Sequence, residues 1–251
     1  FMDNVNDRLY WCESDTTLNN ISKLMRADIN SMNEELVLNV PGNKIDEIYA
    51  LKDSNLIVFR IEDKFFNNSN GYINYIFQEN GMLTSCIDED NNFIYTFYEQ
   101  PINSNRFYLV RRDLDGSNPN YSLSNPPWNA NYKPQSSFFD KVNNRIYYTT
   151  PSYIMCYDVA SDSHYQILGY YTYFNNNNIH ASKITAYDLF SSNPKIIFSS
   201  DYFGGTFKVN YDGSDFQIIS TDQNTFGVSV LEKTGIIEGR VFLDINYDGI
   251  Y

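Results

Sequence analysis

Hydrophobic and polar positions alternate along this chain in short runs, and five runs share one pattern. Each follows a polar or acidic turn, and they read NDRLYWCE (6–13), DSNLIVFR (53–60), DNNFIYTF (90–97), NNRIYYTT (143–150) and NPKIIFSS (193–200). Alternation with a period of two, in segments rich in β-branched and aromatic residues, predicts strands. Helical repeats are excluded because no long segment has a 3.6-residue period.

The five runs belong to a longer repeat. FMDNVNDRLYW (1–11) and FFDKVNNRIYY (138–148) are identical at six of eleven positions. Alignment of one residue from each run gives steps of 48, 37, 52 and 51 residues, on Tyr10, Val58, Tyr95, Tyr147 and Phe198. A period of this length with several strands per unit is typical of a β-propeller blade.

Further strands are expected after these runs. Alternating β-formers lead into D-G-S at 107–117 and 206–219, which predicts hairpins, and 155–168 is a third copy without the glycine. Residues 21–38 look helical in part, but their place in the repeat favours two strands around a turn at 28–31.

The motifs LYWCE, IYYTT and IIFSSD resemble the YWTD repeats of the low-density-lipoprotein-receptor and nidogen propellers. The resemblance aligns Tyr10–Glu13, Tyr147–Thr150 and Phe198–Asp201 with the motif. It implies an all-β fold, a β-propeller of five or six four-stranded blades over residues 1–235. We expect residues 224–232 to supply an inner strand that completes the blade begun at Phe1, unless sequence upstream does so.

The segment 236–251 has two interpretations. One is a last blade hairpin. The other rests on G-R-V-F-x-D-x-N-x-D-G at 239–249, which resembles the start of the B-type domains of serine-aspartate-repeat adhesins, calcium-binding β-sandwiches. Asp244, Asn246 and Asp248 alternate along the chain and offer hard oxygen ligands, and Gly249 permits the turn that follows. Calcium is the predicted cofactor of this loop.

Composition narrows the class of protein. A net charge of −13 argues against nucleic acid and anionic membrane surfaces as partners, and no apolar run is long enough to span a membrane. Cys12, Cys86 and Cys156 lie within strand-like runs, which favours three buried thiols over one disulfide and a spare thiol.

Catalytic motifs are lacking. His164 and His180 are the only histidines, each in a polar context that predicts a loop, and no cysteine or histidine has zinc-ligand spacing. No nucleophile elbow or phosphate loop occurs. The acidic residues before the second strands are interpreted as turn residues that accept backbone hydrogen bonds, namely Asp3, Asp53, Asp90 and Asp140. The alternative is a calcium-dependent, lactonase-like propeller hydrolase with carboxylates in its channel.

Two polar or proline-rich insertions, 126–135 and 174–180, carry aromatic residues that we expect to be exposed and to contact a partner: Trp128, Tyr132 and Phe174. Three N-x-S/T sequons, at Asn20, Asn67 and Asn120, fall in predicted loops and are candidate glycosylation sites. The sequence therefore predicts a non-enzymatic extracellular or cell-surface adhesion module of a larger protein. Its expected partners are a protein, a glycan or copies of itself, as in an extracellular assembly.

The calcium loop can be tested directly. Replacing Asp244 and Asp248 together with alanine removes two of three charged or polar ligands, so calcium affinity should fall while residues 1–230 stay folded. Calorimetric titration with calcium and thermal unfolding measure the two effects. Calcium binding that is unchanged in the double variant would refute the loop assignment.

Overall fold

The fold is that of an all-β protein. The computed structural model describes residues 2–3, 7–15, 21–28, 30–31, 33–41, 45–51, 56–69, 72–169, 173–174, 177–178, 183–188, 195–199, 205–220, 229–233 and 236–240. Within these ranges the regular structure is β-strand, apart from one short 3₁₀ turn at Ala130–Tyr132. The chain divides into two compact units, Phe1–Met82 with Asp115–Ser117, and Leu83–Leu114 with Asn118–Tyr251.

The first unit contains two four-stranded antiparallel sheets in which the strands follow chain order. The first sheet comprises β1 (Met2–Asp3), β2 (Arg8–Asp15), β3 (Ile21–Asp28) and β4 (Glu34–Pro41). The second comprises β5 (Glu47–Ala50), β6 (Ile57–Ile61), β7 (Lys64–Ser69) and β8 (Tyr72–Gln78). Asp28 caps the β3–β4 turn by accepting bonds from the Asn30 and Ser31 amides, so the prediction of two strands here is confirmed.

The second unit contains the remaining sheets. The third sheet has three strands, β9 (Met82–Asp88), β10 (Phe93–Glu99) and β11 (Phe107–Asp113). The fourth sheet comprises β12 (Ser136–Asp140), β13 (Arg145–Thr149), β14 (Tyr153–Asp158) and β15 (Ser163–Gly169). After the two-stranded pair β16 (Tyr173–Phe174) and β17 (Asn177–Asn178), the fifth comprises β18 (Lys183–Asp188), β19 (Lys195–Ser199), β20 (Thr206–Asn210) and β21 (Gln217–Ser220). Lastly, β22 (Ser229–Lys233) pairs with β23 (Ile236–Arg240).

Within each unit, neighbouring sheets pack face to face through alternate residues of their second strands. In the second unit, Tyr147 of β13 packs in a core with Phe198 and Val209 of the fifth sheet. The next residue, Tyr148, points the other way into a core with Phe97 of the third sheet. The first strands β12 and β18 also adjoin. Four-stranded meanders stacked in this way are propeller blades, so the predicted fold class is confirmed.

The first unit repeats this packing. Tyr10 and Leu24 of the first sheet share a core with Ile57 and Phe59 of the second. As in the fourth sheet, a tyrosine on the second strand faces the sheet that follows in the chain. The five runs found in the sequence are thus the second strands of five sheets.

One alignment in the repeat is wrong by one residue. Arg145 opens β13 opposite Asp140, as Lys195 opens β19 opposite Asp188. Counting from these residues, Ile197 is equivalent to Tyr147, and Phe198 is equivalent to Tyr148. Phe198 accordingly packs towards the fourth sheet. Side chains alternate between faces with a period of two, so matching aromatic to aromatic placed Phe198 on the wrong face.

The termini were predicted to pair with each other, and the described strands pair differently. Met2–Asp3 is the first strand of the first sheet, while Ser229–Lys233 pairs with Ile236–Arg240. The latter hairpin spans the predicted boundary between 1–235 and 236–251, which stays a prediction.

Both D-G-S turns rest on the outer strand of another sheet. Each begins with an aspartate, Asp115 or Asp212, that accepts bonds from the amide and hydroxyl of the serine two residues on. The glycines between them have φ of +85° at Gly116 and +84° at Gly213. A Cβ on Gly213 would lie 2.3 Å from the carbonyl oxygen of Ile167 in β15. Glycine is therefore required there for both its conformation and its size.

Replacing Gly213 with alanine should lower the free energy of unfolding by at least about 2 kcal/mol, because it adds a left-handed alanine and a backbone clash. The matched variant Gly116→Ala should cost less, since its new Cβ would lie 3.0 Å from side-chain atoms of Ile76 and Phe77 and 3.2 Å from the Ile76 carbonyl oxygen, distances well above 2.3 Å. Urea unfolding of both variants measures the difference. Equal losses in the two variants would contradict the role of the Ile167 carbonyl.

Candidate partner-binding surface

The outer edge of the third sheet is closed by a loop instead of a fourth strand. Asn120 forms an isolated bridge with Arg111 of β11, with N–O distances of 3.3 and 2.8 Å. Further along, the Leu109 amide donates to Asn125 Oδ1 at 3.3 Å. The Trp128 indole N–H then donates to the Phe107 carbonyl at 3.1 Å. At three residues of β11, backbone groups at the outer edge of the sheet are thus bonded by the segment 118–135, which we call the edge loop.

The edge loop corrects the predicted hairpin at 107–117. The turn forms, but a single bridge at Asn120 follows it where a strand was expected. Pro119, Pro126 and Pro127 explain this difference, because proline has no N–H to donate to a ladder. Side-chain groups of Asn125 and Trp128 take over the missing backbone bonds.

Trp128 is the exposed aromatic centre of this loop. Its side chain is 55% exposed although its N–H is bonded to the strand beneath. Arg106 places its guanidinium 5.5 Å from the ring centroid, and the Tyr108 ring lies 6.0 Å away at 52°. Tyr108 in turn stacks on buried Tyr98 at 5.3 Å. A large ring held in one orientation by a hydrogen bond and two neighbours loses little freedom when a partner covers it.

The two stretches of sequence that form the region around Trp128 contain no acidic residue. The stretches 100–112 and 116–135 lack Asp and Glu, in a chain with 31 acidic and 18 basic residues. Glu99, at the border, is buried and bound by the Asn105 amide at 2.7 Å and Lys133 Nζ at 3.2 Å. Burial raises the pKa of Glu99, but these bonds outweigh it and lower the pKa overall. Arg106, by contrast, is exposed and contacts the indole ring.

The other two predicted contact residues differ from Trp128. Tyr132 is half-buried and stacks on Tyr153 at 4.7 Å and 17°, so the expectation of an exposed ring is wrong there. It anchors the end of the edge loop to the core between the third and fourth sheets. Phe174 lies in β16, and its side chain is outside the described part of the structure. Arg106 and Tyr108 were not predicted, because they lie some 20 residues before Trp128 and no sequence pattern links them.

A half-buried histidine fastens the middle of the edge loop to the fourth sheet. His164 lies in strand β15, which corrects its prediction as a loop residue. Its Nε2 is 2.9 Å from the Ser124 carbonyl and its Nδ1 is 3.0 Å from the Tyr148 hydroxyl. The ring thus bridges an acceptor and a hydroxyl as a neutral tautomer can. Asp162 adds a bond from the Ser124 amide at 2.8 Å.

The acidic residues at the turns are structural. Asp140 is fully buried and accepts from the Val142 and Asn143 amides at 3.0 and 3.2 Å, as predicted. In the third sheet this role falls to Asp88, two residues before the predicted Asp90, with the Asn91 amide at 3.2 Å. Asp3 and Asp53 have side chains outside the described residues.

The remaining candidates for reactive groups are metal ligands and cysteine thiols. Among the described residues no three His, Cys, Asp or Glu side chains form a group able to hold a metal ion. The predicted calcium ligands Asp244, Asn246 and Asp248 lie outside the described residues. None of the three cysteines forms a disulfide, two of them are buried, and burial raises the pKa of Cys156 to about 12. The prediction of three buried thiols without a disulfide is confirmed for Cys86 and Cys156, whereas Cys12 is only half-buried.

The sequons occupy different environments. Asn67 lies in strand β7, contrary to the predicted loop, and its side chain accepts a bond from Asn74 Nδ2 at 3.1 Å. Asn120 is the bridge residue of the edge loop, where it also accepts from Ser122. Asn20 is outside the described residues. Glycosylation at the three sites stays a prediction.

Comparison with known proteins identifies the fold. No family model matches the chain, and no curated protein matches it in sequence. A chain from the crystal structure of a nidogen/laminin complex superposes with a TM-score of 0.64 at 12% identity, over 88% of this chain and 77% of that one. An oligogalacturonate lyase in complex with manganese matches with a TM-score of 0.52 at 10% identity, over 75% and 53% of the two chains. At these identities the similarity shows the propeller fold, the fold predicted from the YWTD resemblance.

The His164 bridge predicts a pH dependence. Burial lowers the pKa of His164 below its usual 6.5, although its bond to Ser124 and nearby Asp162 oppose the shift. The unfolded chain therefore binds the proton more readily, so stability is complete above about pH 6.5 and is lost as the pH falls below it. Urea unfolding between pH 7.5 and 5 should show this slope, and His164→Gln should reduce it. His180→Gln is the matched control, and an identical effect of both variants would contradict the assignment.

Proposed function

We propose that this chain is a non-enzymatic interaction module that acts outside the cell, within a larger protein, and contacts a protein partner through the Trp128 surface. We define this surface as Trp128, Arg106 and the exposed part of Tyr108. The observation that carries the proposal is an exposed indole fixed by the Phe107 carbonyl and flanked by an arginine. Tryptophan, tyrosine and arginine are the residues that most often dominate binding energy at protein interfaces.

The fold agrees with this role without establishing it. The matched chain comes from the structure of a nidogen/laminin complex, so a chain of this fold is part of a protein complex there. Propellers also host enzymes, and function must be argued from the site. No helix long and apolar enough to cross a membrane occurs in the part of the chain that the structure describes.

Charge supports a partner that is not itself a polyanion. The Trp128 surface lies in stretches without Asp or Glu, yet the whole chain carries a net charge of −13. Long-range repulsion would slow the approach of a strongly acidic partner. A partner with an apolar contact patch and one or two carboxylates suits the indole and Arg106.

A calcium-dependent hydrolase remains the second candidate. The matched oligogalacturonate lyase structure, which contains manganese, is the observation that favours it at the level of fold. Turnover of uronate polymers or lactones that requires a divalent ion and persists in Trp128→Ala would support an enzyme over an interaction module.

Binding to purified extracellular proteins, laminin among them, and to a glycan array tests the proposal. We expect the chain to bind at least one protein, and Trp128→Ala to weaken that binding about 30-fold, as loss of a central interface tryptophan does. Surface plasmon resonance measures the affinity. The chain has two tryptophans, Trp11 and Trp128, so fluorescence of a Trp11→Phe variant reports contact with the ring.

Two variants control this experiment. Trp128→Phe keeps an aromatic ring but removes the hydrogen bond to the Phe107 carbonyl. It therefore distinguishes the contribution of the ring's contact with the partner from that of its hydrogen bond, which holds the loop on β11. Val142→Ala alters a side chain that is 67% exposed on a turn of the fourth sheet, and it should leave binding unchanged. Protein binding that is equal in Trp128→Ala and wild type, or binding to glycans alone, would contradict the proposal.

A further inference from the structure

The sheets of this protein differ in how their outer edges are protected. An unprotected edge strand offers its backbone N–H and C=O groups to another chain, and charges, proline or a covering loop normally prevent this. In the first sheet, β4 carries Glu34, Glu35 and Pro41. In the third, the edge loop covers β11.

The fourth and fifth sheets are also protected. The turn at Gly213 lies against the Ile167 carbonyl of β15. Strand β21 has four residues, and a register shift at Thr206 and Phe207 interrupts its pairing with β20. Such a bulge twists an edge out of regular pairing.

Among the described residues, the first half of strand β8 in the second sheet has none of these protections, and the bulge in its pairing with β7 lies beyond Tyr75. The sequence of β8, YINYIFQ, contains no charge, proline or glycine. Tyr72, Ile73 and Tyr75 are 74%, 39% and 59% exposed. The pairing with β7 is regular from Tyr72 to Tyr75, and only beyond it, at Ile76, does the Gly116 turn approach the strand. An uncharged aromatic and β-branched strand with an open edge is suited to pairing with another strand.

From this edge we infer a homodimer: residues 73–75 of β8 pair antiparallel with the same residues of a second copy. Two copies that each carry a net charge of −13 repel one another, so a contact between them must avoid carboxylates. The edge formed by β8 contains no carboxylate. Strands β7 and β8 carry one charged residue, Lys64, which lies opposite Gln78 at the far end of the pair. A self-complementary edge meets the requirement of a two-fold interface.

The register of the dimer follows from the two faces of the strand. A two-fold axis normal to the sheet keeps each face on its own side, so residues of the same face must oppose each other. Ile73 and Tyr75 share the face on which Phe66 contacts the Tyr75 ring at 6.0 Å. Centring the pair on Asn74 sets Ile73 opposite Tyr75 of the second copy, twice. Aromatic residues opposite β-branched ones are favourable cross-strand pairs.

A charge exchange at Asn74 tests this register. In the proposed dimer Asn74 faces itself, so Asn74→Lys and Asn74→Glu each set like charges opposite one another and should weaken dimerisation at least about tenfold. An equimolar mixture of the two variants should restore the dimer, because lysine then faces glutamate. Sedimentation velocity on the full chain, produced without N-glycosylation, measures the association of each sample.

Matched controls come from β4, where Asn39 is exposed on another outer strand. Asn39→Lys and Asn39→Glu should leave the dimer intact. Hydrogen exchange of the wild type needs no variant: within residues 72–75, the amides that point away from β7 should become more protected as concentration rises. A chain that is monomeric up to about 0.1 mM, dimers unaffected by both Asn74 variants, or a mixture that stays monomeric would each overturn the proposal.

Discussion

The structure depends on one constraint: a strand buried on both faces sends successive side chains into two different cores. Tyr147 and Tyr148 are both fully buried, yet they pack towards the fifth and third sheets respectively. Stacked sheets need this arrangement because each must satisfy a neighbour on either side. A shift of one residue in β13 would exchange the two cores, so the register of the second strands determines the packing of the whole second unit.

Because these cores are aromatic, they also place polar groups inside the protein. A buried tyrosine requires a partner for its hydroxyl group, and Tyr148 finds it in His164. His164 then bonds the edge loop through Ser124. The position of the candidate binding surface therefore depends, through two hydrogen bonds, on which face of β13 Tyr148 occupies.

The sequence was sufficient to predict the fold class and the second strand of each of the five larger sheets, because period-two alternation and polar turns are local signals. It failed where the signal was not local. The alignment of Phe198 required knowledge of strand starts, and the missing fourth strand beside β11 required knowing that Asn125 and Trp128 replace backbone donors and acceptors. Exposure of Trp128 was predictable from its proline-rich context, whereas the neighbouring Arg106 was not, because pairing across a loop leaves no pattern in the chain.

The edge loop closes a sheet with separate contacts at Asn120, Asn125 and Trp128 in place of a continuous ladder. A continuous ladder fixes the backbone of every residue in the strand, whereas separate contacts fix only the residues that make them. Residues between these anchors that neither pack in the core, as Leu123 does, nor bond the fourth sheet, as Ser124 does, can therefore vary in type without opening the sheet. We therefore expect related sequences to differ more in this loop than in the strand beneath it, so that recognition can diversify on a constant scaffold.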